Sequence, residues 1–230
     1  MQTNRNPLEI TRYSNSSWFR LKSKEYTIHI DPGYGGLLEN LHIKESLFKD
    51  KADLILITHP HKDHVRLEAI QKIRKESTII IAAENALVPA EYPFKVIHEY
   101  ETVEFFGIKI ETIPAYNTEE GHSTKKFHVR GLGVGFVIDI DDLRLYHAGD
   151  TDFIPEMRDL HDIDVCFLPC GGTYVMDIEE SSHAAIQIHP KYAFPMHQAD
   201  QNMIDFKYRL REYKDIEVVM LEIGESKTIG

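Results

Sequence analysis

Six consecutive residues, His59, Pro60, His61, Lys62, Asp63 and His64, place three imidazoles and one carboxylate in one short segment. Neutral imidazole nitrogen and carboxylate oxygen are the donors that divalent zinc and its first-row neighbours take from proteins. A solvated surface seldom needs so many histidines together, so the pattern points to metal ligation and not to surface hydrogen bonding. Leu54 to Thr58, immediately upstream, form a continuous apolar run that reads as a buried strand. At the end of such a strand His59 and His61 can face one ion while Asp63 and His64 turn towards a second. Two adjacent ions lower the pKa of a shared water and polarise a substrate oxygen, which makes hydrolysis the natural chemistry.

The elements that must hold this segment alternate between the two- and 3.6-residue periods. Short β-like runs at Leu8 to Tyr13, Ser17 to Leu21 and Tyr26 to Asp31 precede the turn signal Asp31-Pro32-Gly33. Leu37, Leu38, Leu41, Leu47 and Phe48 follow in a broadly helical pattern. After the histidine segment the sequence predicts a helix from Val65 to Lys75, a strand at Thr78 to Ala82, a short helix near Glu84 to Leu87, and strands near Val96 and at Ile108 to Ile113. The polar stretch Asn117 to Phe127 reads as a surface loop. A hairpin turning at Asp141 and Asp142 comes next and runs on to His147 and Asp150. DIDVCFLPC reads as a strand, DIEESSHAAIQIH as a helix, YAFPMH as a strand, Met203 to Tyr213 as a helix and EVVMLE as the last strand. Two such α and β halves suggest packed sheets flanked by helices, within a single domain over residues 1–230.

HPHKDH matches the HxHxDH signature of the metallo-β-lactamase superfamily, and later landmarks follow in that family's order. YHAGDTD, Tyr146 to Asp152, resembles its GD segment, and FPMH, Phe194 to His197, resembles its last ligand-bearing strand end. Together with DPG near Asp31, the sequence resembles the lactonase-like and uncharacterised metal-dependent hydrolase branch. The resemblance implies an α/β fold, a four-layer αββα sandwich. It also implies two divalent ions, zinc expected and manganese, iron or nickel as alternatives. His59 and His61 would bind the first, Asp63, His64 and His197 the second, and Asp150 would bridge them.

One departure stands out. The family supplies a third imidazole to the first ion just after a strand, where this chain reads IETIPAYNTEE and carries Asn117. An amide oxygen is a poorer zinc ligand than imidazole and suits harder ions. His122 and His128, beyond Asn117, are the candidate substitutes, with His128 preferred because KFHVRG leads into the next strand. His147 lies close to Asp150 but reads as a packed strand residue. His29, His42, His98, His161, His183 and His189 read as structural or surface residues.

Metal-activated water would cleave an ester, lactone or phosphoester bond, with Asp63 orienting the water or carrying its proton. Tyr116, Lys125, Lys126, Arg130 and Tyr174 suggest a small, anionic substrate, and Gly171-Gly172 reads as a turn, with an anion cradle as the alternative. A net charge of −11, from 26 basic against 37 acidic residues, disfavours sequence-independent nucleic-acid binding. That weighs against the neighbouring reading, a phosphodiesterase or nuclease of the same fold. A non-catalytic metal-binding regulator is the third reading, prompted by Asn117. The start MQTNRNPLEITRYS lacks a signal-peptide pattern, and no stretch approaches the roughly 20 apolar residues of a membrane span. Cys166 and Cys170 are too few for a disulfide framework and read as core residues, so a cytoplasmic protein is expected, with homo-oligomerisation left open.

Overall fold

The computed structural model describes residues 6–35, 43–86, 88–89 and 91–230. The chain divides into two compact units, one of residues 1–97 with 221–230 and the other of residues 98–220.

The first unit is built on a seven-stranded sheet. Strands β1 (Leu8–Arg12), β2 (Phe19–Lys22) and β3 (Thr27–Ile30) form the expected antiparallel meander. From β3 the sheet turns parallel through β4 (Ala52–Ile57), β5 (Arg74–Ala83) and β6 (Phe94–Ile97). Parallel strands are covered on both faces, which is why Leu54 to Ile57 of β4 read as an unbroken apolar run. Helix α1 (Leu67–Ile73) buries Ala69, Ile70 and Ile73 against Ile55, Ile57 and Ile80. It is shorter than the span predicted from Val65 to Lys75 because Arg74 is already extended and pairs with Ala52 as the first residue of β5. Tyr13 and Trp18 stack in the core with ring centroids 4.9 Å apart.

Two expectations for this unit change. The helix predicted near Glu84 to Leu87 is a turn over its described residues; Asn85 sits at φ 70, a left-handed conformation that starts no helix. The helical pattern from Leu37 to Phe48 lies partly outside the described residues, and Glu45–Lys49 form a 3-10 turn.

The second unit carries its own seven-stranded sheet. Strands β7 (Thr102–Phe105), β8 (Ile108–Ala115), β9 (Gly133–Ile140) and β10 (Leu143–His147) are antiparallel neighbours. Beyond β10 the sheet runs parallel through β11 (Val165–Pro169), β12 (Tyr192–Met196) and the two-residue β13 (Glu217–Val218). The β9–β10 hairpin turns at Asp141 (φ 50) and Asp142 (φ 61), the positive φ values of a type I′ turn. Helix α2 (Ile178–Ile188) is capped by Asp177, whose carboxylate accepts the Glu180 N–H at 2.8 Å. Helix α3 (Met203–Arg209) is shorter than the predicted span to Tyr213.

EVVMLE is not the last strand. Only Glu217–Val218 pair, opposite Tyr192 and Ala193, and the chain then leaves. It is drawn to the first unit, where buried Arg12 donates to the Leu221 carbonyl at 2.9 Å and β14 (Ser226–Ile229) pairs antiparallel with β1. Cys166 and Cys170 are buried thiols, and burial pushes the Cys166 thiol well above its ordinary range, as suits a core residue. Among the described residues no helix is long and apolar enough to cross a membrane.

Candidate metal centre

In the first unit β3 and β4 are parallel neighbours, so the loops at their C-terminal ends lie side by side. Asp31 follows β3 at φ 50, a left-handed strain that non-glycine residues keep only where the surroundings enforce it. Its fully buried carboxylate accepts the Thr58 N–H (2.7 Å) at Oδ1. Oδ2 accepts the Thr58 hydroxyl (2.7 Å) and lies 2.7 Å from His64 Nδ1. A carboxylate only accepts, so His64 carries its proton on Nδ1 and presents Nε2 as a lone pair. The Thr58 hydroxyl donates its one hydrogen to Asp31 and therefore accepts from His59 Nδ1 at 3.0 Å. One buried carboxylate thus sets the tautomer of two histidines, directly for His64 and through a hydroxyl for His59.

The lone pair of His59 Nε2 meets His61 Nδ1 at 3.0 Å, with the two rings edge to face. The His59 and His64 ring centroids are 4.0 Å apart. Asp63 is partly exposed; its Oδ2 lies 3.7 Å from His64 Nε2 and accepts from Ser16 Oγ at 3.4 Å. Gly33 permits this crowding, because a Cβ there would sit 2.4 Å from the His64 backbone nitrogen. Asp31→Asn would turn an amide N–H against one of these donors. It is expected to lower the stability of metal-free protein by about 1–3 kcal/mol and metal affinity by about 10–100-fold. Denaturant titration and chelator competition measure the two. Unchanged values for both would mean that Asp31 does not orient His59 and His64.

In the second unit Asp150 follows β10 and His197 follows β12, at the same end of a parallel array. Asp150 Oδ2 lies 3.3 Å from His197 Nε2 and 3.3 Å from His128 Nε2, and Asp150 and His128 are both buried. His197, a predicted ligand, holds φ 48, a left-handed conformation like that of Asp31. His128 Nδ1 contacts the Tyr174 carbonyl at 3.0 Å. A carbonyl only accepts, so Nδ1 bears a proton and Nε2 is the nitrogen turned towards Asp150. Two imidazole nitrogens converge on one carboxylate oxygen, and this donor set fits a divalent metal.

The structure therefore groups His59, His61, Asp63 and His64 in one unit and His128, Asp150 and His197 in the other. Of the two histidines beyond Asn117, it brings His128 to Asp150; His122 instead pairs with Asp177 at 3.0 Å, a bond that raises its pKa. Asn117 spends its amide on neighbours, as described below. His147 is fully buried, its ring packed near Phe167 and its Nδ1 accepting the Gly149 N–H. His98 pairs with Glu101 and His189 with Asp215; His161 and His183 are exposed, and His42 lies outside the described residues.

Sequence reading missed Asp31, Thr58 and the Tyr174 carbonyl as orienting groups. Only Asp31 carried a signal, the DPG turn, and that signal named a bend and no partner. Gly171-Gly172 is a turn: Gly172 N–H is taken by the Met176 carbonyl, and a Cβ on Gly171 would lie 2.5 Å from the His197 carbonyl. Lys126 pairs with buried Asp152 at 3.0 Å, Arg130 pairs with Glu156 at 2.8 Å, and Lys125 lies over the Tyr174 ring.

Comparison with known proteins agrees with this geometry. The pattern of the β-lactamase superfamily domain matches residues 9–197, across both units. The chain belongs to the metallo-β-lactamase superfamily. A relative from Archaeoglobus fulgidus, named a metal-dependent hydrolase, is 32% identical over 192 residues, 76% of this chain and 81% of its own. A solved structure from Parabacteroides distasonis, also named as a metal-dependent hydrolase, is 36% identical with a TM-score of 0.82, covering 94% of this chain and 93% of its own. The metallo-β-lactamase fold protein YhfI of Bacillus subtilis shares the fold at 12% identity, with a TM-score of 0.71 over 97% of this chain and 100% of its own. The α/β class and the superfamily read from HPHKDH, GDT and PMH are those of the protein, and metal-dependent hydrolase is the class its relatives carry.

Proposed function

We propose that the protein is a two-metal hydrolase of a small molecule, cleaving an ester, lactone or phosphoester bond. The observation that carries this reading is Asp150 Oδ2, set 3.3 Å from the nitrogens of two histidines, one of which is held through its other nitrogen by the Tyr174 carbonyl. His59 and His61, joined by His128, would hold one ion, and Asp63, His64 and His197 the other, with Asp150 shared. The family pattern spanning both units supports assigning the two half-sets to one centre within a single hydrolase domain over residues 1–230. Zinc is the proposed metal, because imidazole nitrogen outnumbers carboxylate oxygen in the set.

When bound, the ions supply an activated water and Lewis acidity towards the substrate oxygen. Asp63, the partly exposed carboxylate of the set, holds and moves the proton of the attacking water, and Ser16 Oγ at 3.4 Å steadies its Oδ2. Asp31 and the Tyr174 carbonyl keep His64, His59 and His128 in the tautomers that present Nε2. Lys126 and Arg130 are paired with carboxylates, so an anionic substrate would meet Lys125 before either of them. The net charge of −11 supports a small molecule over nucleic acid, and two buried cysteines kept as thiols support a cytoplasmic location.

Elemental analysis for zinc, manganese, iron and nickel, paired with hydrolysis of generic esters, lactones and phosphodiesters, tests the reading. Two ions per chain with turnover of one substrate class are expected. One ion would overturn the two-metal assignment, and none after reconstitution would sink the catalytic one.

A further inference from the structure

Asn117 stands where the sequence pattern of the family leads one to expect an imidazole, and its side chain makes three bonds that fix the amide. Its Oδ1 accepts the His128 N–H at 2.8 Å. Its Nδ2 donates to the Tyr174 carbonyl at 2.9 Å and to Asp152 Oδ1 at 3.3 Å. The backbone adds a fourth tie, Asn117 N–H to the His128 carbonyl at 2.7 Å. The Tyr174 carbonyl that takes the amide is the one that takes His128 Nδ1, so its two lone pairs serve both residues. Residues 118–127 leave and return between these ties, and buried Asp152 anchors the excursion through Thr118 N–H, Ser123 Oγ and Lys126 Nζ.

We infer that Asn117 is a positioning residue: it replaces the missing ligand indirectly, by clamping His128 at the position and in the tautomer in which Nε2 faces Asp150. Turning the amide oxygen towards an ion would break the bond to His128 N–H and present an N–H₂ group where an acceptor stood. Histidine at 117 would lose the paired acceptor and donor that only a carboxamide of this length offers. Aspartate would keep the acceptor for His128 N–H while setting a negative charge against the Tyr174 carbonyl. The inference rests on the metal reading for its consequence, though the clamp itself is a feature of the metal-free protein.

Asn117→Ala, Asn117→Asp and Asn117→His variants test it with two readouts. Long-range proton–nitrogen correlation in metal-free protein reports the His128 tautomer, and chelator competition reports the stepwise affinity for zinc. Wild type is expected to hold His128 as the Nδ1–H form. Asn117→Ala mixes the two tautomers and weakens one zinc step by about 10–100-fold while the other step and the His64 tautomer stay unchanged. Asn117→Asp falls between, and Asn117→His binds no better than Asn117→Ala. An unchanged tautomer and affinity in Asn117→Ala would overturn the clamp. Tighter zinc binding by Asn117→His would show that position 117 is a ligand site. Equal loss at both zinc steps together with a changed His64 tautomer would show general structural damage and also overturn it. Wild-type protein that binds no zinc would defeat the metal reading alone, because the tautomer measurement still decides the clamp.

Discussion

Replacing Asp150 by alanine is expected to remove at least one bound ion and to slow hydrolysis by about a thousandfold, equivalent to about 4 kcal/mol of transition-state stabilisation. The second unit places His128 and His197 within 3.3 Å of one oxygen of this carboxylate, so its loss takes the shared anion from both sides at once. Denaturant unfolding of the metal-free variant separates loss of the ions from loss of the fold. Asp150→Asn keeps the shape and loses the charge, and should lie between Asp150→Ala and wild type. Ion content, and turnover at saturating metal on whichever substrate the screen identifies, provide the check. A variant that keeps both ions and turns over within tenfold of wild type would remove Asp150 from the bridging role.

How far the site was legible depends on how local each contact is. HPHKDH was readable because four candidate ligands fall in six residues directly behind strand β4. Asp150 and His197 were readable only as landmarks in a family order, since an acid in a GDT turn and a histidine after a strand are each commonplace. Asp31 could be seen as a bend but not as the base of the His59–Thr58–His64 chain, because the contact spans 33 residues and exists only once β3 and β4 pair. The relation between Asn117 and His128 was invisible for a different reason. Their hydrogen bond spans 11 residues of a polar loop with no period, and which of His122 and His128 returns to Asp150 depends on Asp152, a buried anchor the sequence does not mark. Strand β14 escaped because SKTI is short and polar, and what recruits the chain there is a buried guanidinium more than 200 residues earlier.

Each half-set is oriented by groups of its own unit: Asp31 and Thr58 in the first, the Tyr174 carbonyl and Asn117 in the second. Histidine rings held in the ligating tautomer before any ion arrives need little reordering on binding, which is the value of such supporting hydrogen bonds to a metal site.

The protein is expected to lose stability steeply on mild acidification through a group outside both half-sets. His29 on β3 is fully buried, and Trp18 donates its indole N–H to His29 Nδ1 at 3.0 Å. Burial, reinforced by the Arg20 guanidinium, pushes the pKa of His29 down to about 3, against the opposing pull of the Asp50 carboxylate and backbone. Protonation would also set an N–H on Nδ1 directly against the Trp18 N–H. Above the unfolded value of about 6.5 both states are neutral and His29 contributes no pH dependence. As pH falls below that value the unfolded chain takes up a proton that the native state refuses, so the unfolded state binds more protons and stability declines. The loss approaches about 1.4 kcal/mol per pH unit and totals about 5 kcal/mol by the time the folded pKa is reached. Other groups contribute to acid unfolding, so the test is a difference. His29→Gln keeps an acceptor for Trp18 and cannot titrate. Between pH 6.5 and 5, wild type should lose about 1.5–2 kcal/mol more than His29→Gln in denaturant unfolding of metal-free protein. Parallel losses in the two proteins would mean that His29 takes up its proton in the folded state, and that the Trp18 bond does not hold it neutral.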